Sequence, residues 1–333
     1  RTRNRLDGVQ VPGDLCRRSA EVDCQPRAVD RDDCEDRYLK LALAVAFECV
    51  LENVDAIGHG PKCCLRYATG EVQQRGGWVA AGLRGADVDE VRCLRTARDA
   101  VVGALKAQDG KVEWDVVMDD AKKGYWSTNA PLVIGNHMLV GVSGDFDNLP
   151  GMLKSFDPET GKVQWNFYST PPPGTPGSIA GGATGGQMWM TGTYDPQLNL
   201  VYVGTGNPTP VLNGEARPGD NKWTCSILSL RPGTGELVWG FQVSPHNTHD
   251  WDAAEVPVLV NGTFNGEPRK MLMQASRNGY FFVLDRTTGK NLLTTPFATV
   301  NWAKDIDGEG RPVPNPDQEP ARDGRLVAPN EGG

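Results

Sequence analysis

One short pattern recurs along this 333-residue chain and limits what it can fold into. It reads Leu105-Lys-Ala-Gln-Asp-Gly-Lys-Val-Glu-Trp114, then Ser155-Phe-Asp-Pro-Glu-Thr-Gly-Lys-Val-Gln-Trp165, then Leu230-Arg-Pro-Gly-Thr-Gly-Glu-Leu-Val-Trp239. A degenerate fourth copy is Leu284-Asp-Arg-Thr-Thr-Gly-Lys-Asn-Leu-Leu293. The glycines Gly110, Gly161, Gly235 and Gly289 stand 51, 74 and 54 residues apart. Each copy reads as strand, tight turn, strand, with Asp or Pro opening the turn and Gly supplying its positive φ. After the turn the period is two: Val163, Trp165 and Phe167 on one side, Lys162, Gln164 and Asn166 on the other. Leu237, Trp239 and Phe241 repeat it. A unit of about fifty residues with several strands and a docking Trp predicts propeller blades, hence an all-β chain from about residue 105 onward. The 74-residue interval leaves room for an insertion, and it holds the glycine-rich stretch from Gly181 to Gly186.

Composition agrees. The 40 Gly and 24 Pro, with 23% charged residues, suit a turn-rich β architecture. The net charge of −8, without a block of Lys/Arg interleaved with aromatics, argues against nucleic-acid binding. The longest apolar run, Leu41 to Phe47, is too short to span a bilayer. Seven of the eight cysteines fall in the first hundred residues, yet none forms a C-x-x-C pair, which argues against a zinc ribbon. The adjacent Cys63 and Cys64 read either as chance in a cysteine-rich stretch or as a vicinal disulfide in an oxidising compartment. Residues 1–100 carry no clear period and stay unassigned; residues 101–333 form the repeat region.

The segment from Ser244 to Asp252 (S-P-H-N-T-H-D-W-D) concentrates two histidines and two carboxylates. Asp250 and Asp252 stand two apart, so in an extended segment both face one side. That suits a hard cation, or a metal ligand beside a general base. A polar loop satisfying its own backbone donors is the alternative. His246 and His249, three apart, also allow a zinc hydrolase, without a third histidine nearby. Asp305 to Gly310 mimics the start of an EF-hand, but its twelfth position is Pro316, so a solvated loop is expected.

The repeat, together with Gly204-Thr-Gly-Asn-Pro208, His246 to Asp252 and Ser276-Arg-Asn-Gly279, resembles the pyrroloquinoline quinone (PQQ)-dependent alcohol dehydrogenases, the methanol/ethanol dehydrogenase family. The resemblance runs from about Leu105 to Gly333. It implies a partial β-propeller, about half of an eight-bladed one, and an internal piece of a longer chain. It further implies oxidation of a primary alcohol to an aldehyde by metal-assisted hydride transfer to PQQ, with lanthanide or Ca2+ as the metal, a periplasmic location and a cytochrome c electron acceptor. Position by position, it places Trp189 beneath the quinone and Cys63–Cys64 over the opposite face as a vicinal disulfide. Thr128, Ser143, Gly144, Gly185, Gly186 and Arg277 line the cofactor, with Arg277 donating to the reactive oxygens. Asn207, Asp250 and Asp252 bind the metal, Asp250 doubling as the catalytic base and Asp252 matching the extra carboxylate of lanthanide-using members. Where the family carries an acidic ligand this chain has Phe146, so Asp145 is the candidate by a one-residue shift. The Asn-Arg-Gly segment and Gly-Thr-x-Asp-Gly hairpin of the family are missing between Leu65 and Ala104. That early region is either strongly divergent or a corrupted reading of the gene. The competing functional class is a non-catalytic propeller scaffold.

Overall fold

A computed structural model describes residues 78–84, 91–96, 100–106, 109–144 and 148–320. Four four-stranded antiparallel meanders follow one another: β1 (Trp78–Arg84), β2 (Val91–Thr96), β3 (Val101–Lys106) and β4 (Val112–Val117); then β5 (Leu132–Ile134), β6 (His137–Gly141), β7 (Met152–Phe156) and β8 (Val163–Tyr168). The small pair β9 (Thr184–Gly185) and β12 (Pro208–Thr209) flanks the third sheet. That sheet contains β10 (Thr193–Asp195), β11 (Leu200–Gly204), β13 (Ser226–Leu230) and β14 (Leu237–Gln242). The fourth contains β15 (Val258–Phe264), β16 (Glu267–Ala275), β17 (Tyr280–Asp285) and β18 (Asn291–Pro296), followed by the hairpin β19 (Ala303–Ile306) and β20 (Pro312–Pro314). These are four blades of a β-propeller, and the first begins at Trp78, upstream of the repeat region read from sequence.

The recurring motif is the hairpin between the third and fourth strands of every blade. Its bonds repeat: Lys106 N–H to Lys111 O, Asp157 N–H to Lys162 O and Asp285 N–H to Lys290 O, all 2.8 Å, and Arg231 N–H to Glu236 O at 2.9 Å. The turn glycines have φ between 71° and 76°, and each hairpin shifts register at the same place. Where Asp opens the turn, its carboxylate caps the next amides: Asp157 Oδ1 accepts from Glu159 and Thr160, and Asp285 Oδ1 from Thr287 and Thr288.

Each motif Trp lies on the next blade's turn glycine. A Cβ placed on Gly161 would meet Trp114 at 2.7 Å, one on Gly235 would meet Trp165 at 2.5 Å, and one on Gly289 would meet Trp239 at 2.6 Å. Trp165 Nε1 donates to Pro232 O (2.8 Å) and Trp239 Nε1 to Arg286 O (3.2 Å), whereas Trp114 Nε1 is buried without a partner. Val163, at the head of its strand, is exposed, so the apolar face starts at Trp165.

The cores lie between blades, and strand alternation feeds two of them at once. Met138 and Val140 of β6 pack toward the first blade, while Leu139 packs with Val201 and Val203 of the third. Tyr202 of β11 turns to Phe282 and Leu284 of the fourth. Both faces of β6 and β11 are therefore buried, which is why residues 138–140 and 200–203 read as unbroken apolar runs.

Candidate functional site

An antiparallel meander separates two sets of connections. Third-to-fourth-strand hairpins leave one end of each blade; second-to-third-strand loops and the links to the next blade leave the other. Thr128, Trp189, Asp250 and Asp252 lie on the links, and Ser143, Asn207 and Arg277 on the loops. All of them fall at the end opposite the Trp clasps.

There, Asn207, Trp189 and the two aspartates meet. Fully buried Asn207 donates through Nδ2 to Asp250 Oδ1 at 2.7 Å and also to Asp252 Oδ1. Trp189 Nε1 donates to Asp252 Oδ2 at 2.5 Å. Thr128 Oγ1 reaches Ser143 Oγ (3.0 Å) and the Trp189 carbonyl (3.3 Å), so a polar margin borders the half-buried indole. The loop bearing the aspartates is fixed from both sides. Its Ala253 carbonyl lies so close to β11 that a Cβ on Gly204 would be 1.8 Å from it. Trp251 is buried, stacked on His249 (4.5 Å, 10°) and tilted against Trp302 (4.9 Å). His249 Nε2 meets Gln318 O at 2.9 Å and His246 Nδ1 meets Gly219 O at 2.7 Å, so both rings are engaged by main-chain carbonyls.

The two carboxylates differ. Asp250 is exposed and has φ 63°, a left-handed conformation that interrupts the period-two geometry read from sequence. Asp252 is 3% exposed. Burial pushes its carboxyl up to about 6; the Trp189 N–H opposes that rise, the Asp250 charge adds to it, and Arg277 opposes it. Exposed Arg277 thus acts on Asp252 through its charge, and its backbone N–H is held by Glu255 Oε1 at 2.9 Å. Burial also raises the Glu255 carboxyl, whose Oε2 is buried without a hydrogen bond.

Gly185 and Gly186 contact the Asn207 segment through the main chain. Gly186 N–H donates to Asn207 O (2.8 Å), and Gly185 pairs with Pro208. Gly144 packs its backbone against Trp126 and Gly124. Cys63, Cys64 and Asp145 lie outside the described residues. Sequence reading missed Asn247, Cys225, Glu255 and Arg217. Asn247 Nδ2 donates to Asn207 Oδ1 at 2.6 Å, and buried Cys225 Sγ lies 3.6 Å from the same oxygen. The one available signal was Arg217-Pro-Gly-Asp-Asn221, a polar run inside the long insertion.

Among the described residues no three His, Cys, Asp or Glu side chains converge; the centre is two carboxylates and an amide. Both carboxylates reach one nitrogen, so their oxygens bracket a common point with oxygen-only acidic donors, which fits a hard cation. Asn207 Oδ1 faces away from that point and joins the set only if the amide turns. A cavity of about 640 Å³ opens beside the same loop, lined by Glu215, His246, Thr248 and Glu319, and does not include the carboxylate pair.

The model of the "Glucose/ethanol/alcohol dehydrogenase, beta-propeller domain" of PQQ proteins matches residues 94–322. The chain belongs to this family. It is 38% identical over 238 residues to quinohemoprotein alcohol dehydrogenase ADH IIB of Pseudomonas putida, covering 64% of this chain and 34% of that protein. It is 36% identical over 252 residues to methanol dehydrogenase [cytochrome c] subunit 1 of Methylorubrum extorquens, covering 67% and 40%. Among solved structures, a europium-containing methanol dehydrogenase superposes with TM-score 0.65 at 34% identity, covering 73% of this chain and 45% of that one. The chain therefore spans between about a third and under half of the length of these relatives.

Proposed function

We propose that these blades form the quinone- and cation-binding side of a PQQ-dependent dehydrogenase that oxidises a primary alcohol to its aldehyde. The observation that carries the reading is the buried Asp252 carboxylate, gripped by the Trp189 indole and the Asn207 amide with Asp250 beside it. A scaffold protein has no use for desolvating a carboxylate beside another, since both must be held against their repulsion.

When bound, the quinone supplies a two-electron acceptor, and a Ca2+ or lanthanide ion supplies Lewis-acid polarisation. Asn207, Asp250 and Asp252 would hold the cation, and Trp189, Thr128, Ser143 and Arg277 the quinone. Asp252 is the better proton acceptor of the pair, which exchanges the roles the family resemblance gives to Asp250 and Asp252: it is shielded from water, and its two oxygens are oriented by the Asn207 amide and the Trp189 indole. The indole N–H fixes Oδ2 and with it the plane of the carboxylate, so the alcohol proton is received in a set direction. Asp250, exposed at the margin, is the added carboxylate; its charge balances a highly charged ion. The relatives' names support a cytochrome c acceptor and lanthanide use; a periplasmic location belongs to the same proposal. No helix among the described residues is long and apolar enough to cross a membrane.

The test is alcohol-dependent dye reduction by the full-length protein, with quinone absorbance as the control for loading. Asp252→Asn is expected to lower turnover by about 10³-fold with the quinone still bound, and Asp250→Asn by about tenfold. A larger loss from Asp250→Asn would reverse the two roles. A protein that takes up no quinone would remove the enzyme reading.

A further inference from the structure

A buried chain of hydrogen bonds decides which face of the Asn207 amide meets the two carboxylates. It starts at a donor whose identity is fixed, because His249 N–H is main chain and reaches Asn247 Oδ1 at 3.0 Å. Asn247 must then turn Nδ2 toward Asn207, whose Oδ1 accepts it at 2.6 Å. What remains for Asp250 and Asp252 is the Asn207 nitrogen. Both asparagines are buried, 0% and 4% exposed, so water offers neither a substitute partner.

The chain is anchored from behind. Arg217, fully buried, donates to the carbonyls of Pro210, Val211 and Asn247 and to Asn221 Oδ1. Its grip on the Asn247 carbonyl holds the main chain from which the Asn247 amide projects. A guanidinium that meets four acceptors at fixed angles resists small displacements, as a lysine would not.

Hard cations are bound through amide oxygen, not amide nitrogen. Resting on the cation reading above, we infer that Asn247 is a latch. It holds the Asn207 amide with its donor face to Asp250 and Asp252, and cation uptake turns both amides together. In that turn Asn247 gives up the His249 N–H, which opposes uptake by about the strength of one buried hydrogen bond.

Asn247→Asp discriminates, because a carboxylate accepts from His249 N–H and from a turned Asn207 Nδ2 at once. The full-length protein, stripped of cations, is titrated with Tb3+ by its tryptophan-sensitised emission, and Ca2+ affinity is read by competition. The variant is expected to bind both ions more tightly, about tenfold or more, with the larger gain for Tb3+ because the new carboxylate also attracts the ion through space in proportion to its charge. The charge-neutral Asn247→Leu isolates the latch, since its gain carries no such charge dependence and is the same factor for both ions. No gain in Asn247→Asp overturns the latch. Should Asn247→Asp fail to fold, Asn247→Leu removes the latch without adding charge. It is expected to tighten both ions by less, and weaker binding would overturn the proposal. Wild-type protein that binds neither ion sinks the cation reading itself, whereas wild-type binding with no change in Asn247→Asp sinks the latch alone.

Discussion

The two ends of the same blades are built on opposite terms. At the hairpin end, four turns use the same bonds at nearly the same lengths, with a glycine at the same φ. At the other end no two connections are alike. Of eight non-glycine residues with positive φ among the described residues, six lie there: Ala100, Asn148, Asn221, Cys225, His246 and Asp250. The two at the hairpin end, Asn199 and Asn265, are of the residue type that tolerates this conformation best. One end holds blades together by repetition. The other departs from low-energy backbone in its loops and links, Asp250 among them, and the adhesion of the first end makes those departures tolerable.

If the hairpin end is the source of adhesion, removing its tryptophans should cost stability in order of how well each is held. Trp239, 9% exposed and hydrogen-bonded to Arg286 O, packs against Tyr202 at 5.6 Å. Trp239→Ala is expected to cost about 4 kcal/mol, Trp165→Ala about 3 and Trp114→Ala about 2, the last because its indole N–H has no partner to lose. Urea midpoints of the three variants check the order. Equal losses would mean that packing area alone matters and that the main-chain acceptors on the next blade contribute nothing.

The site end predicts the opposite sign for a buried group. In cation-free protein, folded Asp252 keeps its proton until about pH 6, while the unfolded chain releases it near 4. Between those values the folded state holds more protons, so stability falls as pH rises through this window, by on the order of 2 kcal/mol. Asp252→Asn should abolish the fall and leave a more stable protein at neutral pH. Melting temperatures across pH 4 to 7 in chelator give the answer, and a flat wild-type profile would mean that the Trp189 and Asn207 donors fully offset burial.

Legibility in the sequence follows the same division. The hairpin is specified within about ten residues, by Asp, Gly and Trp at fixed offsets, so its glycine and its docking partner could be read directly. The first blade escaped because Val91-Arg-Cys-Leu-Arg-Thr96 has no clean alternation, although it pairs on both sides with β1 and β3. At the site, residue types were legible and environments were not. Asp250 and Asp252 look equivalent in sequence, yet a left-handed φ at Asp250 leaves it exposed while Asp252 is buried. Asn247 looks like any loop asparagine; its importance comes from a contact 40 residues away in sequence. Arg217 before Pro-Gly reads as a surface turn, and only three-dimensional closure brings main-chain carbonyls around it.

The smallest prediction isolates docking from backbone strain at the hairpin end. Gly235 and Gly266 both need positive φ, 72° and 83°, so alanine at either costs about 1 kcal/mol from the backbone alone. They differ in what a methyl would meet. At Gly266, in the Asn265-Gly266 turn between β15 and β16, nothing lies within 4 Å. At Gly235 the methyl would stand 2.5 Å from the Trp165 ring, which must move off the blade and lengthen its bond to Pro232 O. Gly235→Ala should therefore cost about 1–2 kcal/mol more than Gly266→Ala, and Trp165 emission should shift toward that of a solvated indole. The excess should vanish in a Trp165→Ala background, where the methyl meets no ring. An excess that persists there would place it in the turn itself and separate this glycine from the clasp.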